Sequence, residues 1–201
     1  MTNKVSNQSL LNAGLTAMQS VGRSVKKIQT NSRAMKYQLD NGETLRVRTC
    51  NDHVLVVLAE SAEEGASLNI EGTDHLLIVM PEEPRTNGSV IAYFVPSAVA
   101  VKAVREAHAD WLKSNPSTKG NNRTWTIWFD EGPTTNSGFA KKWSQYRLPA
   151  NVSTLSIGPS DKDIPSQNNR PLGTVIAEAR KAIAEAAGVT VEAVKISVTL
   201  D

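Results

Sequence analysis

Two apolar runs, each closed by a proline, constrain this chain more than anything else in it. LLIVM at 76–80 ends at Pro81 and VIAYFV at 90–95 ends at Pro96, with a polar segment at 82–88 between them. Pro84 and the Asn87-Gly88 pair are turn formers, and the second run is rich in β-branched and aromatic residues. Ser97 then stands at the N-cap position of a helix over 98–113, whose Val101, Val104, His108 and Trp111 or Leu112 recur at helical spacing. The stretch reads strand, turn, strand, helix. Neither run alternates with polar residues, so both strands are expected inside a sheet, covered by the helix through Val101, Val104 and Trp111.

The rest of the chain supplies further strands and three more helices. Leu11, Leu15, Met18, Val25 and Ile28, with Gly22 on the same stripe, predict an amphipathic helix over 9–28. Arg23, Lys26 and Lys27 fall in its last turn, where cations complement the helix dipole. Met35, Tyr37 and Leu39 alternate, Asp40-Asn41-Gly42 turns, and Leu45, Val47 and Thr49 alternate again, which predicts a hairpin over 35–49. VLVVL at 54–58 reads as a buried central strand. Trp125, Ile127 and Phe129 share one face of a strand at 124–129, with Trp128 on the other. Residues 139–148 predict a short helix with Phe139, Trp143 and Tyr146 on one side, 174–187 a further helix, and 194–200 a last strand.

These elements sum to an α+β chain: a central mixed, largely antiparallel sheet of five or six strands flanked by helices, with a C-terminal helix–strand unit. The Ser-, Asn- and Pro-rich segment 149–171 reads as a linker. The expected organisation is therefore an α+β core domain over 1–148, the linker, and a unit over 172–201 docked on the core.

Composition narrows the setting. At 201 residues and 40% hydrophobic the chain can build a real core. It has no run of the roughly 20 apolar residues that a bilayer span needs. The N-terminal residues lack the apolar stretch of a secretory signal, and a lone cysteine, Cys50, suits a reducing compartment, so a cytoplasmic location is expected. The net charge of +2 hides segregation. Residues 1–50 carry eight Lys/Arg against Asp40 and Glu43, residues 51–100 eight acidic residues against Arg85, and residues 101–150 eight Lys/Arg against Glu106, Asp110, Asp130 and Glu131. Such blocks predict a two-faced surface with one side attractive to polyanions.

The order helix, hairpin, strand, strand, strand, helix over 10–111 resembles the restriction-endonuclease-like, PD-(D/E)XK, superfamily. Within it, DHLLIVMP followed by VIAYFVPSAVA is similar to the Asp-leader strand and the proline-ended strand of several small bacterial members. The family's site needs an acidic residue on one strand and an acid-x-Lys triplet on the next, because carboxylates hold Mg²⁺ and the lysine orients the attacking water. Here the hairpin turn carries Asp40, and Arg46-Val47-Arg48 stands where the triplet belongs. Arginine cannot ligate a metal and stays protonated. The resemblance therefore implies a nuclease-like fold without standard metal-dependent cleavage, retaining a nucleic-acid surface.

Other candidate sites are thin. Cys50-Asn51-Asp52-His53 and His75 lack the second close pair a zinc site needs, so neither metal nor cofactor is expected. Ser97 lies in no Gly-x-Ser-x-Gly turn, and His108 reads as a hydrogen-bonded histidine at the edge of the core. One stretch has a chemical accent: residues 119–147 interleave Lys119, Arg123, Lys141, Lys142 and Arg147 with Trp125, Trp128, Trp143 and Tyr146. Cations for phosphates beside flat rings for bases are the materials of single-strand grooves. The expected function is thus nucleic-acid association through Lys119, Arg123, Trp128, Lys141, Lys142 and Arg147. The alternative is a phage- or plasmid-type accessory or inhibitor that binds a protein partner through Glu63, Glu64, Glu82 and Glu83.

Overall fold

The computed structural model describes residues 4–28, 36–61, 65–116, 122–149, 152, 154, 180, 184 and 190–195. The chain divides into two compact units, Met1–Ile157 and Gly158–Asp201. In the second, the described residues include a 3-10 turn at Val191–Ala193, and Arg180 Nε donates to the Val194 carbonyl at 2.8 Å. The helix expected over 174–187 and the strand over 194–200 lie almost wholly outside the described residues.

In the first unit the order is α1 (Asn7–Ser20), β1 (Val25–Lys27), β2 (Lys36–Leu39), β3 (Thr44–Thr49), β4 (Val54–Leu58), β5 (His75–Pro81), β6 (Val90–Pro96), α2 (Ser97–Ser114), β7 (Thr124–Trp128) and α3 (Phe139–Lys142), with a 3-10 turn at Ser144–Tyr146. Five strands form one sheet in the order β1-β2-β3-β5-β6, and β4 pairs with β7 in a separate two-stranded sheet. Only β3 and β5 run parallel; the other pairs are antiparallel. The fold is therefore α+β with a mixed, largely antiparallel sheet, as expected.

β5 is the axis of the core. Its residues 76–80 are each at most 1% exposed, because both faces are covered. Leu77 and Val79 meet Leu10, Leu11, Ala17 and Met18 of α1. Leu76, Ile78 and Met80 meet β4, β7 and α2 through Leu55, Val57, Trp125, Ile127, Ala100 and Val104. The contact with α1 is close: a Cβ on Gly14 would lie 2.3 Å from Val79 Cγ2.

Four expectations are corrected. The first helix stops at Ser20 instead of reaching Ile28. Gly22 takes φ +75°, its N–H bonds the Gln19 carbonyl and the Arg23 N–H bonds the Met18 carbonyl. That is a Schellman termination, which the left-handed glycine permits, and the chain beyond it extends into β1. β4 is not a central strand, since a parallel β5 beside β3 requires a crossover, and β4 lies in that crossover on the face opposite α1. β6 is paired with β5 only and so is an edge strand. On its other side Leu148 N donates to the Ala92 carbonyl and Val90 N to the Val152 carbonyl. The second of these bonds places Val152, within the expected linker, against β6. Finally, α2 buries Ser97, Ala100, Val104 and Ala107. Trp111 is only half-buried and Val101 packs at the fringe. The buried stripe starts at Ser97 itself, so Ser97 is inside the helix and makes no capping bond; its N–H bonds the Asp74 carbonyl.

Candidate nucleic-acid interface

The hairpin register settles which side chains share a face. Lys36 lies across from Arg46, and Gln38 across from both Thr44 and, on the other side, Lys26. The period of two then puts Tyr37, Leu39, Leu45 and Val47 under α1, and Lys26, Lys36, Gln38, Arg46 and Arg48 on the opposite face. Lys26 and Gln38 are exposed, while Lys36, Arg46 and Arg48 are half-buried. None of these four cations forms an ion pair with a carboxylate among the described residues.

The two arginines turn toward backbone. Arg48 Nη2 donates to the Val56 carbonyl at 2.7 Å, Arg46 Nη1 bonds the Asn69 carbonyl, and Lys36 Nζ reaches the Gly72 carbonyl at 3.3 Å. Carbonyl dipoles hold the side chains in place without cancelling their charge. Arg46 Nε is buried with no partner among the described residues, and burial, then the neighbouring Arg48, push the Arg46 guanidinium downward from its usual value. Like charges are thus held together instead of neutralised.

Arg48 also joins this face to the outer side of the small sheet. Val56 and Leu58 are 36% and 51% exposed there, and Trp128, directly across from Val54, is 41% exposed. The expected alternation holds: Trp125, Ile127 and Phe129 are buried. The outer side therefore shows an apolar strip and one flat ring within about two strand spacings, roughly 10 Å, of Arg48.

The other residues singled out from sequence do not gather into one groove. Lys119 lies outside the described residues. Arg123 is exposed at the start of β7, with Nε on the Ala59 carbonyl at 3.3 Å. Lys142 Nζ donates to the Thr135 and Ser137 carbonyls, each at 2.8 Å, and sits over the Phe139 ring, so it knits the loop before α3. Lys141 is exposed on α3, and Arg147 is exposed beside β6, bridged to Tyr93 through backbone. Of the acidic set, Glu63 and Glu64 lie outside the described residues, and Glu82 and Glu83 are exposed in the β5–β6 loop.

The residues of the nuclease-like resemblance are also placed. Asp40 is exposed in the hairpin turn. Asp74 accepts from Thr44 N at 2.8 Å and Thr44 Oγ1 at 2.7 Å, bonds that hold its carboxyl below the usual range. No group of three or more His, Cys, Asp or Glu among the described residues is arranged to hold a metal ion. Cys50 is buried and its thiol is pushed up to about 12 by desolvation. His53 bonds Asp130 Oδ1 and the Pro81 carbonyl, both at 2.7 Å, joining the small sheet to the end of β5. No helix among the described residues is long and apolar enough to cross a membrane.

Sequence reasoning passed over Lys26, Lys36, Arg46 and Arg48 as a set. Lys26, expected in the last turn of the first helix, lies beyond that helix's end at Ser20, in β1. The usable signal was the alternation on both sides of Asp40-Asn41-Gly42, which already ranks Lys36 and Arg46 on one face. Compared with family models, with curated proteins and with solved structures, the chain matches none.

Proposed function

We propose that this chain binds a polyanion, a single-stranded nucleic acid, along the face of β1–β3 opposite α1 and the adjoining outer side of β4 and β7. The observation that carries this reading is the set Lys26, Lys36, Arg46 and Arg48: four cations on one face with no carboxylate partner among the described residues. Retaining four unneutralised charges together is unfavourable unless an anion offsets them. Phosphates do so and release counterions. The exposed Trp128 ring and the Val56–Leu58 strip beside Arg48 offer stacking and apolar contact, which favours a single strand over a duplex with its bases hidden.

The resemblance to the PD-(D/E)XK superfamily supports the same reading. Arg46 and Arg48 stand at the acid-x-Lys positions and point to one face, where the family's carboxylates would hold Mg²⁺. In this chain that place attracts phosphate and repels metal, so binding without metal-dependent cleavage follows.

The test is fluorescence anisotropy with a labelled single-stranded oligonucleotide from low to physiological salt. Affinity falls with a log–log slope of about −0.7 per phosphate contact, and Lys26→Ala with Lys36→Ala makes the slope shallower by about two contacts. Both side chains are peripheral, so circular dichroism should remain that of the unmodified protein. Undetectable binding at low salt ends the reading. Mg²⁺-dependent nicking of plasmid that is lost in Asp40→Asn or Asp74→Asn would end the non-cleaving part of it.

A further inference from the structure

A pocket of about 210 Å³ lies between the C-terminal half of α2 and the edge of β7 that faces away from β4. It is lined by Ala107, His108, Trp111, Asn122, Thr124, Trp125, Thr126 and Asn136, none of which carries a full charge in its ordinary form at neutral pH. His108 is its centre. The imidazole stacks on Trp125 at 4.1 Å and 12°, and on Trp111 at 5.8 Å and 17°. Its ring nitrogens bond no group among the described residues, contrary to the hydrogen-bonded histidine expected from sequence. Burial holds the imidazole below its usual pKa, so near pH 7 the ring is neutral and presents one donor and one acceptor.

The two asparagines are half committed. Asn122 Oδ1 accepts from Thr124 N at 2.9 Å, which leaves its amino group for a ligand. Asn136 Nδ2 donates to the Thr126 carbonyl at 3.3 Å, which leaves its carbonyl oxygen. The pocket thus combines a flat aromatic wall with adjacent uncharged donors and acceptors. Arg123, between Asn122 and Thr124 in sequence, is directed instead to the β4 side of β7, its Nε donating to the Ala59 carbonyl at 3.3 Å.

We propose that this pocket takes a nucleobase, its edge read by His108, Asn122 and Asn136. An uncharged lining excludes phosphate from the interior and suits a heterocycle with alternating donors and acceptors. A sugar, which presents hydroxyls alone, has no flat ring to lie against the aromatic wall. The source of the base rests on the single-strand reading above: β4 and β7 lie between Arg48 and this pocket, so one strand can run from the cationic face over Trp128 to it.

The four tryptophans make the experiment site-resolved. Nucleoside 5′-monophosphates, adenosine and glucose are titrated separately into the whole chain, and the four indole N–H signals are followed by NMR. Expected are shifts of Trp111 and Trp125 with nucleotides while Trp143 stays still. His108→Phe, which keeps the stack and removes the nitrogens, weakens binding roughly five- to tenfold. The unmodified protein alone can overturn the proposal: no shift at Trp111 and Trp125, or shifts with glucose only, would do so. An affinity unchanged in folded His108→Phe would also overturn it. Nucleotides in the pocket with no oligonucleotide binding would remove the cationic-face reading and keep the pocket. Oligonucleotide binding that moves Trp128 alone would keep that reading and remove the pocket.

Discussion

β4 and β5 begin as the same kind of sequence, VLVVL and LLIVM, and end in opposite situations. β5 is sealed on both faces, with no residue from 76 to 80 more than 1% exposed. β4 alternates: Leu55 and Val57 are fully buried, while Val56 and Leu58 are 36% and 51% exposed. The difference comes from layer position. β5 lies between α1 and the small sheet, whereas β4, among the described residues, is covered on one face. An unbroken apolar run is therefore no proof of two-sided burial. Where it is left half-covered, surplus apolar surface stays exposed, and the proposed single strand would lie against it.

The comparison breaks or holds on paired substitutions. Ile78→Ala in β5 should destabilise by about 2–5 kcal/mol, and Leu58→Ala in β4 by no more than about 0.5 kcal/mol, both read from urea melts. A Leu58 loss as large as that of Ile78 would mean that the outer side of β4 is covered. The same division runs through the tryptophans. Trp125, 3% exposed, should lose about 3–5 kcal/mol on substitution by alanine, and the half-buried Trp111 about 1 kcal/mol. Equal losses would mean that α2 presents a different side to the sheet.

Gly14→Ala sharpens the picture of the α1 side. An added methyl meets Val79 Cγ2 at 2.3 Å, and an overpacked helix–sheet contact should lose about 1–3 kcal/mol. That outweighs the gain of up to about 1 kcal/mol that alanine brings to a helix. A more stable variant would show that α1 can lift from β5. On the outer side of the small sheet, Trp128→Ala should leave the melt unchanged and weaken single-strand binding by roughly 1–3 kcal/mol. Glu82→Lys with Glu83→Lys should not weaken it. The smallest effect concerns Cys50, between β3 and β4. With its thiol pushed up to about 12 by burial, the thiolate is scarce at mildly alkaline pH. Labelling by a thiol reagent should then be slow until denaturant opens the core; rapid labelling in the native state would show β4 detaching from β5.

Much of the fold was legible because local physics decides it. The hairpin, the two proline-ended strands, the helix after Pro96 and the split of Trp125, Ile127 and Phe129 from Trp128 all follow from alternation and turn residues, which act over a few positions. The errors share one cause. Gly22 stands on the expected apolar stripe, yet hydrogen bonds from residues 22 and 23 end the helix. Trp111 read as core because its spacing was right, but a helix's buried side is chosen by its neighbours, and Ala100, Val104 and Ala107 fit closer to the sheet.

The candidate site divides along the same line. Alternation in 36–48 by itself determined that Lys36, Gln38, Arg46 and Arg48 share a face, since side chains two apart in a strand must point the same way. The sequence likewise determined that β5 would be a buried strand and that Trp128 would oppose its neighbours. Only the tertiary structure decided that β4 leaves the main sheet, that Lys26 joins the cationic face through β1, and that His108 meets Trp125 across α2 and β7. Pairings between segments 17 or more residues apart depend on which surfaces are still uncovered when the layers assemble, and no local period records that.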